Sequence, residues 1–333
     1  LHLARRERAT GGQAERYSAF MWPERYLTLL ELVAASEKLC IFAKFKLAGI
    51  MSDYEQINLE DYTRSGEGGT AVSYTHKTRN TLAKLYNPGF EADRARAEFL
   101  TARTVFELGI PTPEPYRLVT DGERFGAEYE LVKGKRSFTR IISEEPSRLE
   151  EISLTFAGCA RKLHSTPADT SRLRSYKEVL TRFYKEKDLV PEAYRERSLS
   201  FLATVPDTPN CIHGDLHIGN IITDGHRNLW IDVGEFSYGA PEWDIAIMWI
   251  MSQNMDASRS QALFHLTPEQ MKDHWNCFLP AYLGTSDPKA LADYVHGLLP
   301  YYAAKVPYVY DMAFHGPLPE ISVERIEKML SAY

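Results

Sequence analysis

A chain of 333 residues with 44% hydrophobic and 25% charged residues can bury a sizeable core and has the composition of an ordinary globular protein. The net charge of −6, with no basic stripe, argues against a nucleic-acid partner, and no apolar run of about 18 residues offers a membrane span. The four cysteines, Cys40, Cys159, Cys211 and Cys277, include no Cys-x-x-Cys pair, which argues against a zinc or disulfide framework and fits a reducing cytoplasm.

Residues 1–50 differ from the rest, with eight Arg/Lys against five Glu. Three readings stand. They form an upstream extension, with Met51 as the natural beginning; or a targeting peptide, which Glu7 and Glu15 argue against; or a helical appendage built on the good helix formers of 26–35. The first is preferred. It predicts that deleting residues 1–50 leaves activity intact, and a deletion that abolished folding would refute it.

Residues 64–70 are Gly-rich, with Gly66, Gly68 and Gly69, and an alternating run follows at 72–76. Glycines let successive backbone N–H groups close over phosphates, although such a hairpin can also be a plain turn. The next strand, 80–86, carries Lys84 among apolar neighbours. A buried ammonium is costly unless paired. Lys84 is therefore either an edge-strand charge or a phosphate-gripping lysine that needs a helix glutamate. Residues 93–108 read as that helix, ending at Gly109 before Pro111, with Phe99, Ala102 and Phe106 on its buried face. Glu98, central and beside the apolar stripe, is preferred to Glu91 and Glu107 as the partner of Lys84. Strands at 116–119 and 127–132 flank the turn at Asp121 and Gly122, and the pattern breaks at 133–136. Residues 149–164 then form a helix, with Leu149, Ile152, Phe156, Ala160 and Leu163 on one face; His164 at its end reads as structural.

The most informative stretch follows. His213, Gly214 and Asp215 precede Asn220 by the spacing of a kinase catalytic loop, and Asp232, Val233 and Gly234 stand where that pattern has Asp-Phe-Gly. The strands 211–212, 221–222 and 229–231, with a turn at Asp224 and Gly225, would bring these oxygens together. Two carboxylates and one carboxamide suit Mg²⁺ and a nucleoside triphosphate held against a hydroxyl nucleophile. Turn chemistry alone explains a lone Asp and Asn, but not two apolar strands whose ends converge on one loop.

With its second histidine at His217, this motif resembles the aminoglycoside phosphotransferase and choline kinase family. Ile218 stands where that family usually has Pro, which affects loop stiffness only. The resemblance implies an α+β, two-lobed protein-kinase-like fold: a small antiparallel N-lobe sheet with one main helix (51–132), a hinge (133–136) and a larger, mostly helical C-lobe (137–333). It implies Asp215 as catalytic base and Asn220 and Asp232 as Mg²⁺ ligands, with His213 and His217 supporting the loop. Gly66, Gly68, Gly69, Lys84 and Glu98 would bind nucleotide phosphates. Backbone of Glu130, Leu131 and Val132 would meet adenine. Asp244 would anchor the loop through backbone hydrogen bonds, where the plain reading makes it the N-cap of a helix at 245–251. Glu235 is the best candidate to meet the acceptor or the metal.

The activity implied is an ATP- and Mg²⁺-dependent phosphotransfer to a hydroxyl of a small molecule, with GTP left open. A protein kinase or a catalytically silent nucleotide-binding regulator are the alternatives. The short distance from Gly234 to Pro241 and Glu242 leaves little platform for a peptide. The region 250–333 should build the acceptor pocket. Its acids, such as Asp256, Asp287 and Asp311, would suit a polycationic aminosugar. Its aromatics, such as Trp275, Tyr282 and Tyr308, would suit a quaternary amine. A helical core with a solvated acidic face is the preferred account of most of them.

Overall fold

The computed structural model describes residues 53–67 and 70–331; the readings of residues 1–50, Gly68 and Gly69 fall outside these. From Tyr54 onward the chain forms one unit. It opens with β1 (Glu55–Gln56), β2 (Tyr62–Glu67), β3 (Ala71–His76) and β4 (Thr81–Tyr86), continues through helix α1 (Ala92–Glu107), and completes the sheet with β5 (Pro115–Thr120) and β6 (Phe125–Glu130). The strand order is β1-β5-β6-β4-β3-β2, antiparallel throughout except for the short parallel pair β1–β5 at one edge.

Period-two alternation explains what β4 does. Ala83 and Leu85 point to one face and join Ile57, Tyr62 and Val119 in a buried cluster. Leu82, Lys84 and Tyr86 point to the other, toward a cleft. Lys84 pairs across the sheet with Ser73 on one side and Ala127 on the other. It therefore lies on a central strand, which excludes the reading of an edge charge. On the Ala83 face the buried Glu128 carboxylate accepts hydrogen bonds from Tyr62 Oη, Thr81 Oγ1 and Arg117 Nε. Helix α1 packs against β5, β6 and the turn that follows Asp232. Its buried face is Ala95, Phe99, Ala102 and Val105; Phe106, expected there, is 39% exposed. Phe106 shares the helical phase of Phe99, seven positions earlier, but stands in the last turn of α1, where the buried face has ended at Val105.

A short β7 (Arg136–Ser137) leads into the helical part, α2 (Phe138–Glu144), α3 (Leu149–His164), α4 (Tyr176–Glu186) and α5 (Glu192–Thr204). Small strands β8 (Cys211–Ile212), β9 (Ile221–Thr223), β10 (Asn228–Trp230) and β11 (Ser237–Tyr238) flank the motif residues. Helices α6 (Glu242–Asn254), α7 (Ala257–Phe264), α8 (Pro268–Leu283), α9 (Pro288–Gly297), α10 (Leu299–Phe314) and α11 (Glu320–Ser331) follow. Helix α3 has the bounds expected from its apolar spacing. It packs on α8 and α2, where Phe156, Phe278, Ile142 and Trp230 fill the main core. A second core joins α4, α5, α6 and α10 through Leu180, Tyr184, Leu202, Trp243 and Ala304. Among the described residues no helix is long and apolar enough to cross a membrane.

The backbones of β4 and β6 approach closely at Gly126. A Cβ there would stand 1.9 Å from the Lys84 carbonyl oxygen. Gly126→Ala is therefore expected to destabilise the chain by at least about 1–3 kcal/mol, the usual cost of overpacking. Urea unfolding checks this; an unchanged midpoint would contradict the close approach.

Candidate active site

A cleft of about 890 Å³ opens between the inner face of the sheet and the motif strands. Its walls include Thr70, Ala71 and Ser73 from the β2–β3 hairpin side, Lys84, Glu98 from α1, Glu130 and Val132 at the end of β6, and Asp215, His217, Asn220 and Asp232. The structure thus brings together residues spread over more than 140 positions of sequence.

The loop that carries Asp215 is held from several sides. Gly214 adopts φ +83°, and a Cβ there would stand 2.3 Å from the Glu235 carbonyl oxygen, so only glycine fits the turn. His213 is fully buried, and its Nε2 donates to Ile231 O at 3.0 Å, which ties the loop to the strand end before Asp232. Burial lowers the pKa of this ring. Asn220 Nδ2 donates to Asp215 O at 2.9 Å and approaches Asp215 Oδ2 at 3.3 Å, leaving its own carbonyl oxygen for other work. His217 caps the following turn by accepting from Gly219 N through Nδ1, and its Nε2 lies 3.6 Å from Asp215 Oδ2. The Asp215 side chain is 53% exposed. Desolvation within the cleft would raise its pKa, but His217, His213 and Lys305 outweigh that and hold it well below the usual carboxylate range.

Asp244 corrects the plain reading. It lies in the first turn of α6 but does not cap the helix; Pro241 occupies the cap position. Its carboxylate is fully buried and accepts from His213 N (2.7 Å), Gly214 N (2.9 Å) and His164 Nε2 (3.1 Å). The cap would have left those two loop amides unpaired in the core, and the structure spends the carboxylate on them instead. His164 is structural as expected, with Tyr282 Oη 2.7 Å from its Nδ1.

Asp232 has left-handed backbone, φ 53°, uncommon for a residue other than glycine. Its Oδ1 accepts from Lys84 Nζ at 2.8 Å. The Lys84 charge lowers the Asp232 pKa. Burial alone would lower that of Lys84, but Asp232, with Tyr129 and Glu98 farther off, raises it. The expected direct Lys84–Glu98 ion pair is not made. Glu98 lines the same cleft, but its carboxylate accepts from the Tyr86 hydroxyl, and Arg94 lies 3.9 Å away. Lys84 has the nearer carboxylate in Asp232, and Tyr86, two positions along the same strand face, reaches Glu98.

Of the three adenine candidates, Glu130 and Val132 line the cleft; Leu131 does not, and its N–H donates to Asn80 O. The Glu130 side chain is held by Arg227 at 2.8 Å. Gly66 sits at a register shift beside Ser73 and is not on the cleft wall. Glu235 also lies off the wall: its carboxylate accepts from Arg174 (2.6 Å) and Tyr308 (2.9 Å). The C-terminal acids and aromatics serve the fold. Asp256 and Asp287 cap helices, Asp311 pairs with Lys187, and Trp275 lies in the core. From residues 250–331 the cleft receives Leu263 and His265.

Sequence reasoning missed Lys305. It is buried in α10 and donates to Gly214 O and Trp243 O. A single lysine in the apolar run 301–307 was the available signal.

The sequence model of the phosphotransferase enzyme family matches residues 64–273, more than half of the chain, and the chain belongs to that family. It is accordingly a phosphotransferase, with an alcohol group as acceptor. The aminoglycoside phosphotransferase APH(4)-Ia, solved as a thermostable mutant in its apo form, is similar with TM-score 0.50 at 14% identity, over 82% of this chain and 94% of its own. That likeness shows the protein-kinase-like fold. Choline kinase LicA from Streptococcus pneumoniae (14% identity, 88% and 98% of the two chains, TM-score 0.48) is also similar. So is a choline/ethanolamine kinase family protein from Mesorhizobium loti (15%, 81% and 87%, TM-score 0.47). No curated protein matches the sequence.

Asp244→Asn keeps volume but must turn one amide N–H₂ toward a loop N–H or toward His164. It is expected to cost about 3 kcal/mol, the scale for breaking a buried charged network, and to lower turnover. Urea unfolding and an activity assay check this; wild-type values for both would remove Asp244 from the role of anchor.

Proposed function

We propose that the chain transfers the γ-phosphoryl group of ATP to a hydroxyl of a small molecule, with Asp215 as the base that orients that hydroxyl. The observation that carries this reading is the convergence of Lys84, Asp215, Asn220 and Asp232 on one cleft. Phosphoryl transfer asks a protein mainly for positioning and charge neutralisation, and these four groups supply both.

The residues fit Mg²⁺. Asn220 and Asp232 offer one carboxamide and one carboxylate oxygen, too few for a closed protein cage and suited to a cation that completes its shell with phosphate oxygens and water. Among the described residues no group of three His, Cys, Asp or Glu could hold a metal on its own. Asn220 and Asp232 would hold the ion, which when bound neutralises phosphate charge. Lys84 would exchange the Asp232 carboxylate for phosphate oxygens, with Glu98 beside it in the same cleft. Backbone at Glu130 and Val132 would edge the base, with Ile222 and Ile231 as apolar cover; all four line the cleft. Asp215, ionised throughout the neutral range, orients the attacking hydroxyl and receives its proton as the bond to phosphorus forms.

The two-part organisation follows the same reading, with the sheet and α1 as nucleotide lobe and the helices as acceptor lobe. Leu263, His265 and His217, on the Asp215 side of the cleft, are the proposed acceptor contacts. Glu235, already engaged by Arg174 and Tyr308, acts through the loop it supports.

The test is ADP release from Mg²⁺-ATP across aminoglycosides, choline, ethanolamine, homoserine, amino sugars and nucleosides. Asp215→Asn should retain nucleotide binding and lose at least about 100-fold in kcat; Asp232→Ala should weaken Mg²⁺-ATP binding itself. Wild-type turnover by Asp215→Asn would sink the assignment of the base. Nucleotide binding with no turnover on any compound would point to a silent sensor.

A further inference from the structure

Gly214 turns the loop that carries Asp215 at φ +83°, a backbone conformation that glycine adopts without the strain a side chain would bring. Two buried side chains pin it. On its N-terminal side the amides of His213 and Gly214 donate to Asp244. On its C-terminal side the Gly214 carbonyl accepts from Lys305 Nζ at 2.7 Å. That carbonyl belongs to the peptide group joining Gly214 to Asp215, so its direction sets where the Asp215 side chain starts. We propose that Lys305 is a positioning residue of phosphoryl transfer, holding this peptide plane and thereby the direction of the Asp215 carboxylate; the inference rests on the reading of Asp215 given above.

An ammonium in a protein core is expensive and must be compensated. Lys305 is 1% exposed. Its three N–H bonds have three acceptors: Gly214 O, Trp243 O at 2.9 Å and the ring of Tyr176, 4.8 Å to its centroid. Both carbonyls belong to residues that immediately precede the site aspartates, Asp215 and Asp244. A lysine kept only to neutralise a buried acid would bond a carboxylate; this one bonds the main chain of the loop and of the helix that anchors it. Burial pulls its pKa down, against the pull of Asp244, Asp215 and Glu235. It lies outside the residues matched to the family, 64–273, on a helix that this chain brings back under the loop.

The experiment compares Lys305→Met and Lys305→Gln with the unsubstituted chain. Amide hydrogen exchange at His213 and Gly214 should quicken about tenfold or more in Lys305→Met, since local opening then lacks one restraint, while exchange in the sheet stays unchanged. Mg²⁺-ATP affinity should stay within about threefold, and kcat per titrated nucleotide site should fall about 100-fold with the acceptor KM little moved, the scale of a small misplacement of a reacting group. Lys305→Gln, which retains a donor, should recover part of both losses. Unchanged exchange at those two amides would overturn the inference, whether or not an acceptor has been found. So would loss of nucleotide binding in both variants, because Lys305 would then hold the fold and not the loop. Asp215→Asn separates the two readings: if it keeps full turnover the base assignment fails, whereas if it is inactive while Lys305→Met turns over normally, only the present inference fails.

Discussion

The buried carboxylate of Asp244 is the contact on which the site depends. A charge without water needs donors on its oxygens or it takes up a proton. Here the donors are the amides of His213 and Gly214 and the ring of His164. Burial raises the Asp244 pKa, but the His164 hydrogen bond and the Lys305 charge outweigh it and hold the group below its usual value. One side chain of α6 thus fixes a loop 30 residues earlier, and the loop fixes Asp215 and Asn220. The packing of α6 against α8 and α10 thus reaches the candidate site.

The sheet solves a different problem. It presents Lys84 to a partly buried cleft from a central strand with small neighbours. Ser73 and Ala127 flank it, and the absent side chain of Gly126 lets the strands close behind it. Tyr86 holds Glu98 where the Lys84–Glu98 pair was expected, so the helix contributes its carboxylate to the cleft while the lysine pairs with Asp232.

Much of this could be read from residue order. The bounds of α3, the strand around Lys84 and the spacing of Asp215, Asn220 and Asp232 are local patterns, and local patterns survive in one dimension. What escaped is long-range. That Asp244 bonds the loop and not its own helix depends on where α6 docks, and its immediate sequence is that of an ordinary helix start. Phe106 was misplaced although its helical phase matches Phe99, because it stands in the last turn of α1 and periodicity does not say where along a helix the packed face stops. Tyr86 took Glu98 because two side chains on one strand face compete for partners no spacing rule can rank. The C-terminal acids and aromatics, for most of which a helical core with a solvated face was the preferred account, include the helix caps Asp256 and Asp287 and the core residue Trp275. Lys305 needed the return of α10 beneath Gly214, which no motif announces.

The ion pair between Lys84 and Asp232 carries a thermodynamic consequence. Each partner satisfies the other at 2.8 Å, so a ligand that claims one must first break the pair, and in doing so it releases the other. Two ligands that claim one member each share that cost: whichever binds first meets it, and the second finds its partner already free. Such linkage is reciprocal by necessity. An anion drawn to the lysine and a cation drawn to the aspartate would bind with positive cooperativity even without touching one another, and either alone would bind more weakly than the open groups suggest.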